Sequence, residues 1–370
     1  MLENPNSISE VAWDGYIDRV DVDFNFQALL GEVLSREINQ NSEGFQVRFQ
    51  RRGGADLTFP ADLVAEVDEG HLTWQSTRIA EAASVFGIPE LIGTHQMQPE
   101  LISAARTIYQ NAPIIEVPFH DRTVVLALQG DWLRSNPQRA LLQATAAETP
   151  AAHLDRCLEV FAAVRELPET PVLTRRDGAV YDIAGGLSLD DVRADAFYFA
   201  EEHRLFFEAI YPNPRAYFDP ASGQAHLTSA EKTPLTCTAT LLAVVEDDVW
   251  TATHALPYFA RSQAASRARA ILDFGYANNI PALVARTMPA QRAFDWDLID
   301  VAKPIVGIWT HAFAPLSPTA YAVLLVDHPA LRLPAPQPER VAAMKERQVP
   351  AGVDKQRALA AYDRFRMGRS

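Results

Sequence analysis

Apolar residues along this chain form a helical pattern followed by an alternating one, and this succession occurs twice. In DFNFQALLGEVLSREI, residues Phe26, Leu29, Leu30, Val33, Leu34 and Ile38 stand at the spacing of one helix face. FQVRFQ then alternates Phe45, Val47 and Phe49 with polar residues, the signature of a half-buried strand. Later, SLDDVRADAFYFAEEHRLFFEAI repeats the helical spacing with Val192, Phe199, Phe206 and Ile210, and Ser188 with Asp191 is placed as an N-terminal cap. AYFDPASGQAHL reads as a hairpin, because Asp219, Pro220 and Gly223 supply turn chemistry between two short strands. Each succession continues with a strand ending near a tryptophan (Trp74, Trp250), two short helices, and an apolar run, TVVLAL or YAVLLV, suited to a buried strand.

The parallel extends to the letters. ELISAARTI, Glu100 to Ile108, and DLIDVAKPI, Asp297 to Ile305, share an acid, Leu, Ile, Ala, a basic residue and Ile at the same offsets. IPEL at Ile88 precedes the first and IPAL at Ile280 the second. LVAEVDEGHLTW resembles LLAVVEDDVW, and TVVLALQGDWLRSNP resembles AYAVLLVDHPALRLP. Four blocks recurring in one order point to duplication, with the longer insertions of the second copy falling between Trp250 and Ile280. The expected fold class is α+β: two tandem copies of one unit (helix, antiparallel strands, two helices, closing strands) related by a pseudo-twofold axis, each sheet covered mainly on one face, plus a C-terminal helical tail. The expected division is an N-terminal segment 1–23, a first repeat 24–137, a connector 138–189, a second repeat 190–334, and a Pro-rich link with a basic helical tail, 335–370. The connector carries a helix with Leu154, Cys157, Leu158, Phe161 and Val164 on one side, then a flexible YDIAGG approach; the tail carries Leu359, Tyr362 and Phe365 as an apolar stripe.

Trp74 with GIPEL, and Trp250 with IPAL, resemble a family of bacterial domains of unknown function. In that family a tryptophan-rich strand end of the Trp-x-Trp-Ala-Trp type precedes a Gly-Ile-Pro-Glu-Leu-like helical segment. The chain is similar to a divergent tandem of that domain. Neither copy holds the full tryptophan cluster: the first has LTWQS and the second VWTAT. The resemblance implies a bacterial source and a fold, and no activity.

The charge of −14 over 370 residues is distributed unevenly. Residues 332–370 hold nine Lys/Arg against four Asp/Glu, a net of +5, which leaves −19 on the remainder. An acidic body repels phosphate backbones, so no nucleic-acid partner is expected, and the basic tail is expected to dock on the body or on a partner. No run of about 18 apolar residues stands in the sequence, and the N-terminal stretch lacks the basic-then-apolar order of a signal peptide; a cytoplasmic protein without a membrane partner is the expectation. Cys157 and Cys237 are the only cysteines, too few for a disulfide framework.

Reactive motifs are sparse. Neither phosphate-cradling glycine loop, nor G-x-S-x-G, nor H-E-x-x-H occurs. None of the nine histidines has another two to five residues on, so neither a metal nor a cofactor is expected. The carboxylates of Asp21-Val22-Asp23 and Asp295-Trp296-Asp297 read as helix-opening caps. His203, between Phe199 and Phe206, reads first as a core histidine. Trp74 and Trp250 read first as anchors whose indole N–H reaches a carbonyl, and alternatively as the lining of a groove. The leading function is a non-catalytic binding or interaction module for a protein partner or small ligand, with Trp74, Trp250 and His203 as binding residues. The alternative is an enzyme, a hydrolase in its simplest form, with a pocket between the repeats and His203, Glu202 or Asp295 as its reactive groups.

Overall fold

The computed structural model describes residues 3–42, 44–146, 153–230, 232–259 and 262–368. The chain divides into two compact units, Met1–Ala144 with Thr149–Pro171, and Thr145–Glu148 with Val172–Ser370.

The first unit opens with helices α1 (Ile8–Asp14) and α2 (Tyr16–Leu30). Gly31, at φ 62, then stops α2. Val33, Leu34 and Ile38 therefore leave the expected helix and enter strand β1 (Val33–Asn41), where Leu34 points to solvent. Strands β2 (Gly44–Arg51), β3 (Leu57–Asp68) and β4 (His71–Trp74) follow, then α3 (Thr77–Phe86) and a 3-10 turn at Pro89–Leu91. Strand β5 (Thr94–Gln96), α4 (Pro99–Ile108), β6 (Ile114–Phe119), β7 (Arg122–Leu128), α5 (Pro137–Ala146) and α6 (Leu154–Val164) complete it. The connector helix α6 buries Leu154, Cys157, Leu158 and Phe161 and leaves Val164 exposed.

In the second unit a small hairpin comes first, β8 (Leu173–Arg176) and β9 (Ala179–Ile183). The expected flexible YDIAGG approach is thus partly strand, with Tyr181 fully buried in the core. Helix α7 (Leu189–Ile210) carries the expected cap, closed in both directions between Ser188 and Asp191. Strands β10 (Arg215–Asp219) and β11 (Gln224–Ser229) form the expected hairpin, followed by β12 (Lys232–Glu246) and β13 (Val249–Ala252). Then come α8 (Gln263–Asn278), α9 (Pro281–Val284), β14 (Thr287–Pro289), α10 (Ala290–Asp295), α11 (Leu298–Val306), β15 (Thr310–Pro315) and β16 (Ala320–Asp327). The insertion expected between Trp250 and Ile280 takes the form of α8. The link after Pro334 is shorter than expected: Pro338, at a first helical position, starts α12 (Pro338–Lys345), and α13 (Lys355–Met367) ends the fold.

The fold class is α+β, with two similar antiparallel sheets and a C-terminal helical tail. The sheets have seven strands each and one topology. The first runs β1-β2-β3-β4-β5, with β7 on the other side of β3 and β6 beyond it; the second runs β10-β11-β12-β13-β14, with β16 and β15 in those places. Their long strands share two finer features. Each joins its successor through a two-residue turn with positive φ at both positions, Glu69-Gly70 in one and Asp247-Asp248 in the other. Each also carries a bulge against the closing strand, between Leu63 and Ala65 in β3 and between Leu241 and Ala243 in β12.

Both faces of each sheet are packed, where cover mainly on one face was expected. Val124, Leu126 and Leu128 of β7 join one core cluster, and the alternating Val125 and Ala127 join another. In β16, Ala322, Leu324 and Val326 separate in the same way from Val323 and Leu325. The bulge lets a long strand serve both clusters. Ala61 and Leu63 face the first core, and beyond the bulge Ala65 and Val67 face the second. Likewise Cys237, Ala239 and Leu241 belong to one cluster of the second unit, and Ala243 and Val245 to the other.

The basic residue of the repeated phrase also has a structural place. Arg106 on α4 grips Asp23 of α2 through two bonds of 2.7 and 2.6 Å. Lys303 on α11, fully buried, sets its Nζ 2.6 Å from Asp300. The carboxylates expected as caps make no cap bond to a helix end and take other donors instead. Asp21, inside α2, accepts from Arg165 and the Ser135 N–H, and Asp297, with φ 53, takes Arg193 at 2.6 Å. A guanidinium fork offers a carboxylate stronger bonds than a helix end does.

Candidate functional site

The three residues singled out from the sequence occupy different surroundings. Trp74 is partly buried at the end of β4, and its indole N–H donates to the Glu90 carbonyl at 2.9 Å. That bond ties the strand end to the GIPEL turn. Trp250 is buried in β13, edge-on to Phe294 at 6.1 Å. The two tryptophans are not equivalent. Val67 pairs with Leu72 as Val245 pairs with Trp250, and Ala65 pairs with Trp74 as Ala243 pairs with Ala252. Trp250 therefore stands where the first unit has Leu72, and Trp74 where the second has Ala252. The two blocks differ by two letters, so aligning their final tryptophans displaced the register.

His203 sits on α7, its ring edge-on to Phe199 at 4.9 Å and stacked on Trp309 at 6.1 Å. It lines a polar cavity of about 360 Å³ with Thr310, Asp327, His328 and Arg332. Its neighbour Glu202 faces elsewhere, because consecutive helical residues project about 100° apart. Glu202 lies at a second cavity of about 360 Å³, and Asp295 is exposed on α10, bonded to Gln291 at 2.8 Å. His203, Glu202 and Asp295 do not share one cleft.

The Glu202 cavity is the more developed site. One wall is α7, contributing Leu205, Phe206 and Ala209; the other is the link and α12, contributing Leu333, Pro334, Ala335, Ala343 and Met344. The tail helix closes it from below. Tyr362 donates to Glu202 Oε2 at 2.9 Å, and Arg366 stands 3.1 Å from Glu202 Oε1 while donating to the Pro334 carbonyl at 2.7 Å. Burial first, then the charge of Glu202, pushes the Tyr362 phenol well above its ordinary pKa, so it stays a donor. The charge of Glu202 is thus matched by Arg366, although one donor of Arg366, Nε, is buried without an acceptor.

The cations at the mouth differ in their commitments. Arg347 reaches Glu201 at 2.7 Å. Arg340, exposed on α12, makes no ion pair among the described residues. An apolar trough with a neutralised floor and one uncommitted guanidinium at its edge suits a molecule with an apolar body and an anionic end. Sequence reasoning found the tail stripe and named Glu202. It missed Arg340, whose only sequence signal was the basic excess of residues 332–370.

Among the described residues no group of three or more His, Cys, Asp or Glu could hold a metal ion, and no helix is long and apolar enough to cross a membrane. No curated protein and no solved structure matches the chain. Residues 190–329, from the first turn of α7 to the end of the second sheet, are similar to a family of unknown function, DUF6882; the match takes in the α7 wall of the cavity and stops short of the link, α12 and α13.

Proposed function

We propose that the protein is a non-catalytic cytoplasmic binding module, built from two copies of one α+β unit, whose second unit takes a small amphipathic anion such as a medium-chain carboxylate. The observation that carries this reading is Arg340, a cation without a counter-ion among the described residues, at the mouth of an apolar cavity whose buried Glu202 is already matched by Arg366. The common sheet topology, the bulge at the same place and the same two-residue turn support descent from one unit. The separation of Glu202, His203 and Asp295 favours binding over the hydrolase alternative.

Titration calorimetry with decanoate and decanol tests the reading. Decanoate should bind about tenfold or more tighter than decanol, the worth of one charge-assisted hydrogen bond. Arg340→Glu should abolish that preference, and Ala343→Trp, which fills the trough from an exposed helix position, should weaken both ligands. Equal affinity for the two ligands, or binding to neither, would overturn the proposal.

A further inference from the structure

The first unit holds a charged cavity that the reading above does not use. It measures about 350 Å³ and lies where α2, α4 and β6 meet. Arg19, in the first turn of α2, enters it with a guanidinium whose hydrogen bonds go to backbone: one terminal nitrogen donates to the Ala12 carbonyl at 2.8 Å and the Ser103 carbonyl at 3.3 Å, and the group stands 5.6 Å from the centre of the Tyr16 ring. Among the described residues no carboxylate pairs with it, and no acceptor binds its Nε or its other terminal nitrogen. The neighbouring Arg106 does not compensate, since its fork is filled by Asp23. Burial, and then the charge of Arg106, pulls the Arg19 pKa down to about 10, the mark of a cation held where charge is costly.

On the β6 side the same cavity carries Glu116, exposed and without an ion-pair partner among the described residues. Met97, Pro99 and Ile102 supply an apolar surface between these charges. With Arg106 and Asp23 cancelling, the cavity offers one open cation, one open anion and an apolar patch, and no net charge. A simple anion would meet the field of Glu116, and a simple cation that of Arg19. A molecule carrying both signs satisfies both groups.

We infer that this cavity binds a zwitterionic α-amino acid with an apolar side chain. Its carboxylate lies on the open donors of Arg19, its ammonium on Glu116, and its side chain against Met97 and Ile102. Charge-assisted bonds at both ends supply the selectivity, because a ligand lacking either charge leaves one protein group desolvated and unmatched.

The probes are L-leucine, 4-methylpentanoate, which lacks the ammonium, and 3-methylbutylamine, which lacks the carboxylate, each titrated into the full chain by calorimetry. Leucine should bind about tenfold or more tighter than either single-charge analogue. Glu116→Gln, an exposed change that leaves the fold intact, should bring leucine down to the level of 4-methylpentanoate. Arg19→Lys, with melting measured alongside to register loss of the carbonyl bonds, should weaken leucine and 4-methylpentanoate and spare the amine. Failure of leucine to bind at millimolar concentration, equal binding of the three probes, or leucine binding unchanged in Glu116→Gln would overturn the inference. The decanoate experiment reads the other unit, so either result stands without the other.

Discussion

Tyr362 donates its phenolic hydrogen to Glu202 across 160 residues of chain, at 2.9 Å, with both side chains almost wholly removed from water. The bond fastens the tail helix to α7. Around it Phe199, Tyr198, Trp309 and Met344 form an apolar cluster with Ala358 and Ala361 of the tail, and Arg357 reaches Asp191 and Asp195 at 3.1 and 2.8 Å. Tyr362→Phe removes the donor and keeps the packing, so it should cost about 1–3 kcal/mol in urea unfolding, the penalty for stripping a bond from a buried polar group. Deleting residues 350–370 bares Phe199 and Trp309 as well; it should lower the melting temperature further and promote self-association, both measurable on one preparation by calorimetry and light scattering.

Arg165, at the end of α6, ties that helix to α2. It bonds Asp18 at 2.7 Å and Asp21 at 3.0 Å, and donates to the Ser135 carbonyl at 2.9 Å, with all three charged side chains buried or nearly so. Arg165→Ala would leave two buried carboxylates without their cation. The expected loss is about 3–5 kcal/mol, read from the urea midpoint. A loss below 1 kcal/mol would mean that the site relaxes or hydrates freely.

A half-buried histidine and a buried aspartate should give opposing pH responses. Burial, and then the charge of Lys303, lowers the His311 pKa to about 4 from 6.5, so the folded state favours neutral imidazole. Between those values the unfolded chain binds the extra proton, and the stability His311 contributes is lost as pH falls from 6.5 toward 4. Burial raises the Asp182 carboxyl from 3.8 to about 6, against the opposing bond from the Leu189 N–H. Ionising it in the folded state costs stability, a penalty that grows as pH rises from 3.8 to 6 and persists above. Melting curves should show His311→Asn losing less stability than wild type as pH falls from 7 to 4. Asp182→Asn, which keeps the acceptor for Leu189, should gain over wild type at pH 8 and match it near pH 3.5.

Gly275 lies within α8 where α9 crosses closely. A Cβ there would come 2.8 Å from Leu283 Cβ and 3.0 Å from Val284 Cγ2. Alanine would gain up to about 1 kcal/mol of helix propensity, while overpacking a tight core costs about 1–3 kcal/mol. Gly275→Ala should therefore be neutral to destabilising; a clear rise in melting temperature would show that α9 moves aside without cost.

What could be read from the sequence follows from how local each signal is. The Ser188–Asp191 cap, the turn at Asp219–Gly223 and the Leu359, Tyr362 and Phe365 stripe are written within a few residues, and each has its expected place in the structure. Val33 and Ile38 misled because their five-residue interval fits one helix face loosely, while Gly31 at φ 62 had already ended the helix. Strands β5 and β14, of three residues each, are too short to show alternation. The cavities lay beyond reach for another reason. Glu202, Arg340 and Arg366 come together only when α7, α12 and α13 have packed, and Arg19 meets Glu116 only through the placing of α2 beside β6. No spacing along the chain encodes such meetings.

The bulges in β3 and β12 set a different kind of constraint, one of arithmetic. Between Leu63 and Ala65, and between Leu241 and Ala243, stands a single extra residue, Val64 in one unit and Leu242 in the other. The side chain differs and the count does not. Paired without the bulge, the same residues would alternate unbroken, and Ala65 and Val67, or Ala243 and Val245, would turn away from the core they now fill. Substitution of Val64 by Leu or Ile is a matter of volume; its deletion would make the pairing with β7 continuous and leave Ala65 and Val67 on the face they now fill, taking from the core the Val64 side chain alone. At both points the pairing, and not the side chain, decides which residues face which core.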